Sequence, residues 1–498
     1  MIYDPATPPD EKTASAARTS SPGPRVPKRV AAVIVNSLKG GVVPRVGLPY
    51  ITVGRTLEIQ ALLHDLDLIS GGGASFRFLV GRYGSGKSFL LQTIRNHAMG
   101  KGFAVCDADL SPERRLQGGQ GQGLATYREL MRNLSVKTRP EGGALPLVLD
   151  RWLSSVRASV AAQGIEERDP AFDQHVETRI FEVLQSLEEL VHGFDFATLL
   201  ARYHHAWRDG DDETQARVVK WLRGEYRTKT EAKQELGVSS IITDDSWYDY
   251  LKLFACFLKS AGYQGLLVLI DELVNLYKIP NTIARQYNYE KILTMYNDTL
   301  QGKARYLGIV MGGTPQSIED RRRGIYSYEA LRSRLAQGRF AGEGLVDLLA
   351  PVIRLEPLTH EELLVLIEKL ADIHAGLFGY TRTLSEEDLV AFLRIEFEQV
   401  GSSSHLTPRE VIRDYIELLD IVSQNPSVDV ERLLAASRRA DADPSVASMA
   451  TSHTAASPID AASTAVANMA ATPMGASPVD AAPTAAAPTM APYAEFSL

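Results

Sequence analysis

Short apolar runs alternate along this chain with stretches of helical period, and the alternation predicts an α/β architecture. Phe76-Arg77-Phe78-Leu79-Val80, Phe103-Ala104-Val105-Cys106-Asp107 and Leu266-Leu267-Val268-Leu269-Ile270 read as strands. So do Arg305-Tyr306-Leu307-Gly308-Ile309-Val310-Met311 and Val352-Ile353-Arg354-Leu355. Unbroken apolar runs suit strands of a parallel sheet buried on both faces. The expected sheet is doubly wound, in the order 5-1-4-3-2. Between the second and third strands the pattern is almost wholly helical, an insertion at about 120–260. There Tyr127, Leu130, Met131 and Leu134 share one stripe, and Leu149, Trp152, Leu153 and Val156 another. Ile180, Phe181, Leu184, Leu187, Leu190 and Val191 make a third, followed by Trp207, Trp221, Leu222 and Tyr226. Stripes of this kind are packing faces.

After the last strand come three helical runs. Thr359-His360-Glu361-Glu362 is a capping box that opens the run Leu363, Leu364, Leu366, Ile367 and Leu370. Ser385-Glu386-Glu387-Asp388 opens the second, through about Val400, and Thr407-Pro408-Arg409-Glu410 the third. Val411, Ile412, Tyr415, Ile416 and Leu419 lie on one stripe of that third helix. The domains expected are a disordered segment at 1–26, a sheet-bearing domain at 27–357, a helical unit at 358–425 and a disordered tail at 436–498. The tail is rich in Ala, Pro, Ser and Thr, and Ala456-Ser457-Pro458-Ile459-Asp460-Ala461-Ala462 recurs in it as Ala476-Ser477-Pro478-Val479-Asp480-Ala481-Ala482. Without large apolar residues such a repeat cannot offset its ordering entropy.

Charge and composition narrow the setting. A net charge of −8 excludes a global polycation held to DNA by counterion release. The two cysteines, Cys106 and Cys256, supply neither a disulfide framework nor a zinc site. No apolar run approaches membrane-spanning length and no signal-peptide core opens the chain, so a cytoplasmic protein that does not enter the membrane is expected.

The chemistry concentrates after the first strand. Gly81-Arg82-Tyr83-Gly84-Ser85-Gly86-Lys87-Ser88 has the spacing of a P-loop, set between a strand and a helix as that motif requires. Its glycines let backbone N–H groups turn toward phosphate oxygens, and the following helix adds its positive dipole end. Lys87 would neutralise phosphate charge and Ser88 would ligate magnesium, so ATP and Mg2+ are the expected ligands. Asp271 and Glu272 end the third apolar run. Asp271 is the candidate second magnesium ligand, and Glu272 the candidate base that deprotonates an attacking water.

Other residues carry two readings each. Thr314, after the fourth strand, is either a γ-phosphate sensor or a turn threonine capping the next segment. Arg409 is either a second sensor or a solvated first-turn arginine, although a helix N-terminus disfavours a cation. The C-terminal helical unit is similar to the lid of AAA+ ATPases, and Tyr328-Glu329-Ala330-Leu331-Arg332-Ser333-Arg334-Leu335 resembles their arginine-finger box. Arg334 is the candidate finger there, with Arg332 in reserve. Ile51-Thr52-Val53-Gly54-Arg55 resembles the box that initiator-type members place beside the adenine ring, which makes Arg55 a candidate binding residue. Arg321-Arg322-Arg323 reads as a solvated loop or as contacts to DNA phosphates.

More than a hundred residues separate Lys87 from Asp271, far more than a plain P-loop core needs. With that insertion in view, residues from about Arg29 to Val422 resemble the BrxD-like ATP-binding proteins encoded with BREX phage-defence systems. The resemblance rests on Val53-Gly54-Arg55, the P-loop, Leu149-Asp150-Arg151-Trp152-Leu153, Ile270-Asp271-Glu272, the Tyr328–Leu335 segment and Leu406-Thr407-Pro408-Arg409-Glu410. It implies an initiator-type AAA+ ATPase acting on DNA in defence, with a superfamily-2 helicase as partner and a homo-oligomer as the working form. A STAND-like signalling switch with slow turnover, or an adaptor, is the alternative.

Overall fold

The computed structural model describes residues 26–169, 171–185, 193–336, 338, 347–399 and 407–435. The two terminal segments, Leu187, Leu190 and Val191 of the third insertion stripe, and Leu406 lie outside them. Five strands form one all-parallel sheet: β1 (Ala74–Val80), β2 (Ala104–Asp109), β3 (Leu266–Asp271), β4 (Leu307–Gly313) and β5 (Val352–Arg354). Their order, β2-β3-β4-β1-β5, is the expected one read from the opposite edge. β1 lies in register with β4 from Ala74↔Leu307 to Val80↔Gly313, and β2 with β3 up to Asp109↔Asp271.

The period of two along each strand divides the core. Phe76, Phe78, Val80, Val268, Ile270, Ile309 and Met311 face one side. Leu79, Val105, Leu267, Leu269, Val310 and Ile353 face the other, where the helices Thr56–Ser70 and Lys87–Gly100 cover them. Arg77 crosses this apolar pattern and is buried. Its guanidinium pairs with Asp65 through two bonds of 2.7 Å and donates to the carbonyls of Leu349 (2.7 Å) and Ala350 (2.6 Å). A buried charge needs such saturation, and here it anchors the segment that leads into β5.

The inserted helices do not make a separate core. Those from Gln122–Arg132 to Trp247–Ser260 bury most of their stripe residues together with the first face of the sheet, but Phe181 and Trp207, expected on packing faces, are exposed. Trp152, Trp221, Trp247 and Tyr127 are among its largest fully buried side chains. Trp152 and Phe196 meet Phe257 edge-on at 5.2 and 5.4 Å, and Trp221 meets Tyr250 at 5.4 Å. The polar tips of Tyr127 and Trp221 find backbone acceptors, whereas Trp152 Nε1 is buried without a hydrogen-bond partner. Tyr127 Oη donates to Leu222 O (2.8 Å) and Trp221 Nε1 to Ser240 O (2.9 Å).

A second core joins His360–Phe378, Glu386–Gln399 and Pro408–Gln424. Capping boxes open the first and third of these helices, at Thr359 and Thr407. The N-terminal helix Lys28–Lys39, grouped by sequence order with the sheet, buries Ala31, Ile34, Val35 and Leu38 in this same core. Polar bonds fasten it: buried His374 lies 2.8 Å from Tyr380 Oη and 3.1 Å from Asp420 Oδ1, and Lys39 Nζ donates to Asp420 Oδ2 at 2.6 Å. No helix among the described residues is long and apolar enough to cross a membrane.

Candidate functional site

The site gathers at the carboxyl end of the sheet. β1 ends at Val80, and the chain turns through Gly84 (φ 76°) and Gly86 (φ 92°) into the helix that starts at Lys87. A side chain at Gly84 would be strained twice over. Its backbone is left-handed, and a Cβ there would sit 2.6 Å from Thr407 Cβ. Lys87 Nζ donates to Gly81 O (2.9 Å) and Arg82 O (2.8 Å). Burial lowers its pKa, against the opposing pull of Asp271 and Glu272. Ser85 Oγ is buried without a hydrogen-bond partner.

β3 delivers the acids. Ser88 Oγ donates to Asp271 Oδ2 at 2.8 Å, so the two candidate metal ligands stand side by side. Asp271 Oδ1 accepts from Glu272 N (2.8 Å), and Glu272 is exposed with φ 62°, rare for a residue with a Cβ. β4 makes room for this carboxylate, because a Cβ on Gly312 would sit 2.3 Å from Asp271 Oδ1. The apolar run that predicted the fourth strand ended at Met311, and the strand continues through Gly312 and Gly313. The second predicted strand likewise ended at Asp107, two residues short of Asp109, the register partner of Asp271. Burial, then Asp271 and Glu272, push the Asp109 carboxyl pKa up. An acid closing a strand beside the acidic pair was the available signal.

Two arginines clamp the loop from outside. Arg55, left-handed at φ 62°, donates to Ser85 O (3.1 Å) and to Glu356 O (2.6 Å) just beyond β5. It also pairs with Glu58. Arg409, from the start of the Pro408–Gln424 helix, donates to Tyr83 Oη at 2.6 Å, its guanidinium 4.9 Å from the ring centroid. Between the loop and the C-terminal helices lies a cavity of about 140 Å³. Leu38, Ile51, Val53 and Ile412 give it apolar walls, and Lys87, Glu272 and Arg409 line its polar side. A larger cavity, about 1110 Å³, opens between Gln117–Gly121 and the Thr282–Leu300 helix, and none of the motif residues lines it. The chemistry therefore favours the smaller one.

Thr314 and Arg334 line neither cavity. Thr314 Oγ1 caps the Pro315–Glu319 helix by accepting from Ser317 N (3.2 Å), within a capping box. Arg334 is exposed on Glu329–Leu335 and donates to Ala330 O (2.7 Å), while Arg332 pairs with Glu329. In the Arg321–Arg323 run, Arg323 is tied to Tyr277 O (3.2 Å) and Ile279 O (3.3 Å), and Arg321 and Arg322 are exposed.

The model of one protein family, described as BREX system ATP-binding protein BrxC/D, matches residues 26–438. The chain belongs to that family. No curated protein matches it.

Proposed function

We propose that this member of the BREX ATP-binding family binds ATP with Mg2+ at Gly81–Ser88 and hydrolyses it as an AAA+-like ATPase, within a DNA-directed phage-defence complex. The 2.8 Å bond between Ser88 and Asp271 carries the reading, because it joins the end of the loop to the end of β3 as one oxygen-donor set. A hydroxyl and a carboxylate oxygen suit a hard divalent cation, and the buried, unpartnered Ser85 Oγ leaves the loop with hydrogen-bonding capacity still to be used. The nucleotide supplies a phosphoryl group for transfer to water, and magnesium offsets its charge. Lys87 binds that charge, and Ser88 and Asp271 hold the cation. Glu272, one residue from Asp271 on a backbone conformation that fixes its direction, takes the proton from the attacking water. The apolar walls around Ile51 and Val53 cover the adenine ring, and Arg55 keeps the loop in place. Thr314 serves as sensor, and the C-terminal helices act as a lid bearing Arg409. Arg334 acts in trans as a finger, in a homo-oligomer partnered by a helicase.

A nucleotide-gated switch of the STAND type is the second reading. The Arg409–Tyr83 bond favours it, since it joins the loop to the C-terminal helices in a form that nucleotide would compete for. ATP turnover measured alone, with duplex DNA and with single-stranded DNA separates the two. Stimulation by either DNA supports the ATPase reading; tight nucleotide binding with negligible turnover under all three conditions supports the switch and overturns it.

A further inference from the structure

We propose that Glu177, His204 and His205, in the helical insertion, form a site for a first-row divalent transition metal of the zinc class. The metal would clip the Phe172–Gln185 helix to the Gly193–Asp209 helix. One ring nitrogen of each histidine and one Glu177 oxygen lie within 4.8 Å of one another. His205 Nε2 and Glu177 Oε1 are already 3.0 Å apart, close to the spacing of two donors on one tetrahedral ion with metal–ligand bonds of about 2.0–2.2 Å.

The second observation is His204 itself. Its ring is fully buried and its Nδ1 has no hydrogen-bond partner. Nε2 sits 3.5 Å from Asp173 Oδ1 and 3.4 Å from Arg157 Nη1. Arg157 in turn pairs with Asp173 at 3.4 Å, which offsets its charge within the cluster. If Nε2 accepts from Arg157, Nδ1–H is left buried with no acceptor, an uncompensated polar burial. If Nε2 donates to Asp173, Nδ1 carries a free lone pair. The second tautomer has the character of the carboxylate–histidine pairs that orient metal-bound imidazoles, with the Asp173 carboxylate at an ion-pair distance of 3.5 Å.

Two imidazoles and one carboxylate suit zinc, cobalt, nickel or copper over magnesium or calcium. The side chains of His205 (42% exposed) and Glu177 (32%) give the ion a route in and leave a position for water. None of these residues belongs to the glycine-rich loop, so the site is independent of nucleotide.

The test uses tag-free full-length protein without nucleotide. Zn2+ is titrated in competition with a chromogenic chelator, Co2+ is followed by its visible ligand-field absorption, and Mg2+ serves as control. One equivalent of Zn2+ is expected to bind, with a rise of a few degrees in melting temperature. His205→Ala and Glu177→Gln, at half-exposed positions, are expected to keep the wild-type circular dichroism and weaken Zn2+ binding about tenfold or more. Lys87→Ala should leave it unchanged. Absence of a saturable equivalent, or binding by both variants as tight as wild type, overturns the site.

Discussion

The carboxyl edge of the sheet and the helical insertion sit on the same five strands yet are held together by different forces. The insertion is held by continuous apolar burial, with Trp152, Phe196, Trp221 and Tyr250 in edge-on ring contacts. The edge is held by single polar bonds between residues remote in sequence: Ser88 to Asp271, Arg55 to Glu356, Arg409 to Tyr83. Of the three non-glycine residues with positive φ among those described, Arg55 and Glu272 both lie there. Strain and polar bonding are costly in a core. Here they collect where chemistry would use them, and the insertion supplies apolar stability.

That contrast breaks most sharply at one residue from each region. Lys87→Ala should abolish ATP binding in a fluorescent-nucleotide titration and leave the melting temperature nearly unchanged, because Lys87 bonds only carbonyls of its own loop. Trp221→Ala should do the reverse, costing about 3–5 kcal/mol in denaturant unfolding and sparing nucleotide affinity of the folded fraction. If the two variants unfolded alike, the division of labour would be wrong.

Within the edge, Glu272→Gln should keep ATP binding and lower turnover by roughly a hundredfold, the scale of a lost general base. Asp271→Asn should weaken binding and turnover together, since Asp271 also holds Ser88. Identical behaviour of this pair in binding and steady-state assays would refute their separate roles.

A smaller effect is expected between subunits. Arg334→Ala should bind ATP normally and hydrolyse it poorly. Mixing it with Lys87→Ala should restore part of the activity, because some interfaces then join an intact loop to an intact finger. No recovery in a mixture shown by light scattering to co-assemble would leave Arg334 an ordinary surface arginine.

The smallest effect concerns the junction of the loop with the C-terminal helices. Tyr83→Phe keeps the ring beside Arg409 and removes the 2.6 Å bond. Losing this charge-assisted bond, worth about 1.5 kcal/mol, should free Arg409 and tighten ATP about tenfold by isothermal titration. Weaker binding would mean that Tyr83 supports the nucleotide rather than competes with it.

Much of this was written locally in the chain. Five apolar runs predicted the parallel sheet, because a buried parallel strand has to be apolar on both faces; the expected strand order came with the resemblance to P-loop ATPases. The loop Gly81–Ser88 and the pair Asp271-Glu272 were legible because each places its chemistry within a few adjacent residues. Thr359 and Thr407 announced helix starts, since a cap bonds only three residues ahead. Tertiary structure alone decided that Lys28–Lys39 shares a core with helices more than three hundred residues later, and that the inserted stripes close over one sheet face. It alone set Arg409 on Tyr83, Gly312 beneath Asp271 and Glu177 beside His204 and His205. Periodicity states that a face is apolar and a motif states which atoms it offers. Neither specifies which distant surface will cover that face or meet those atoms, because that choice is made by the packing of the whole chain at once.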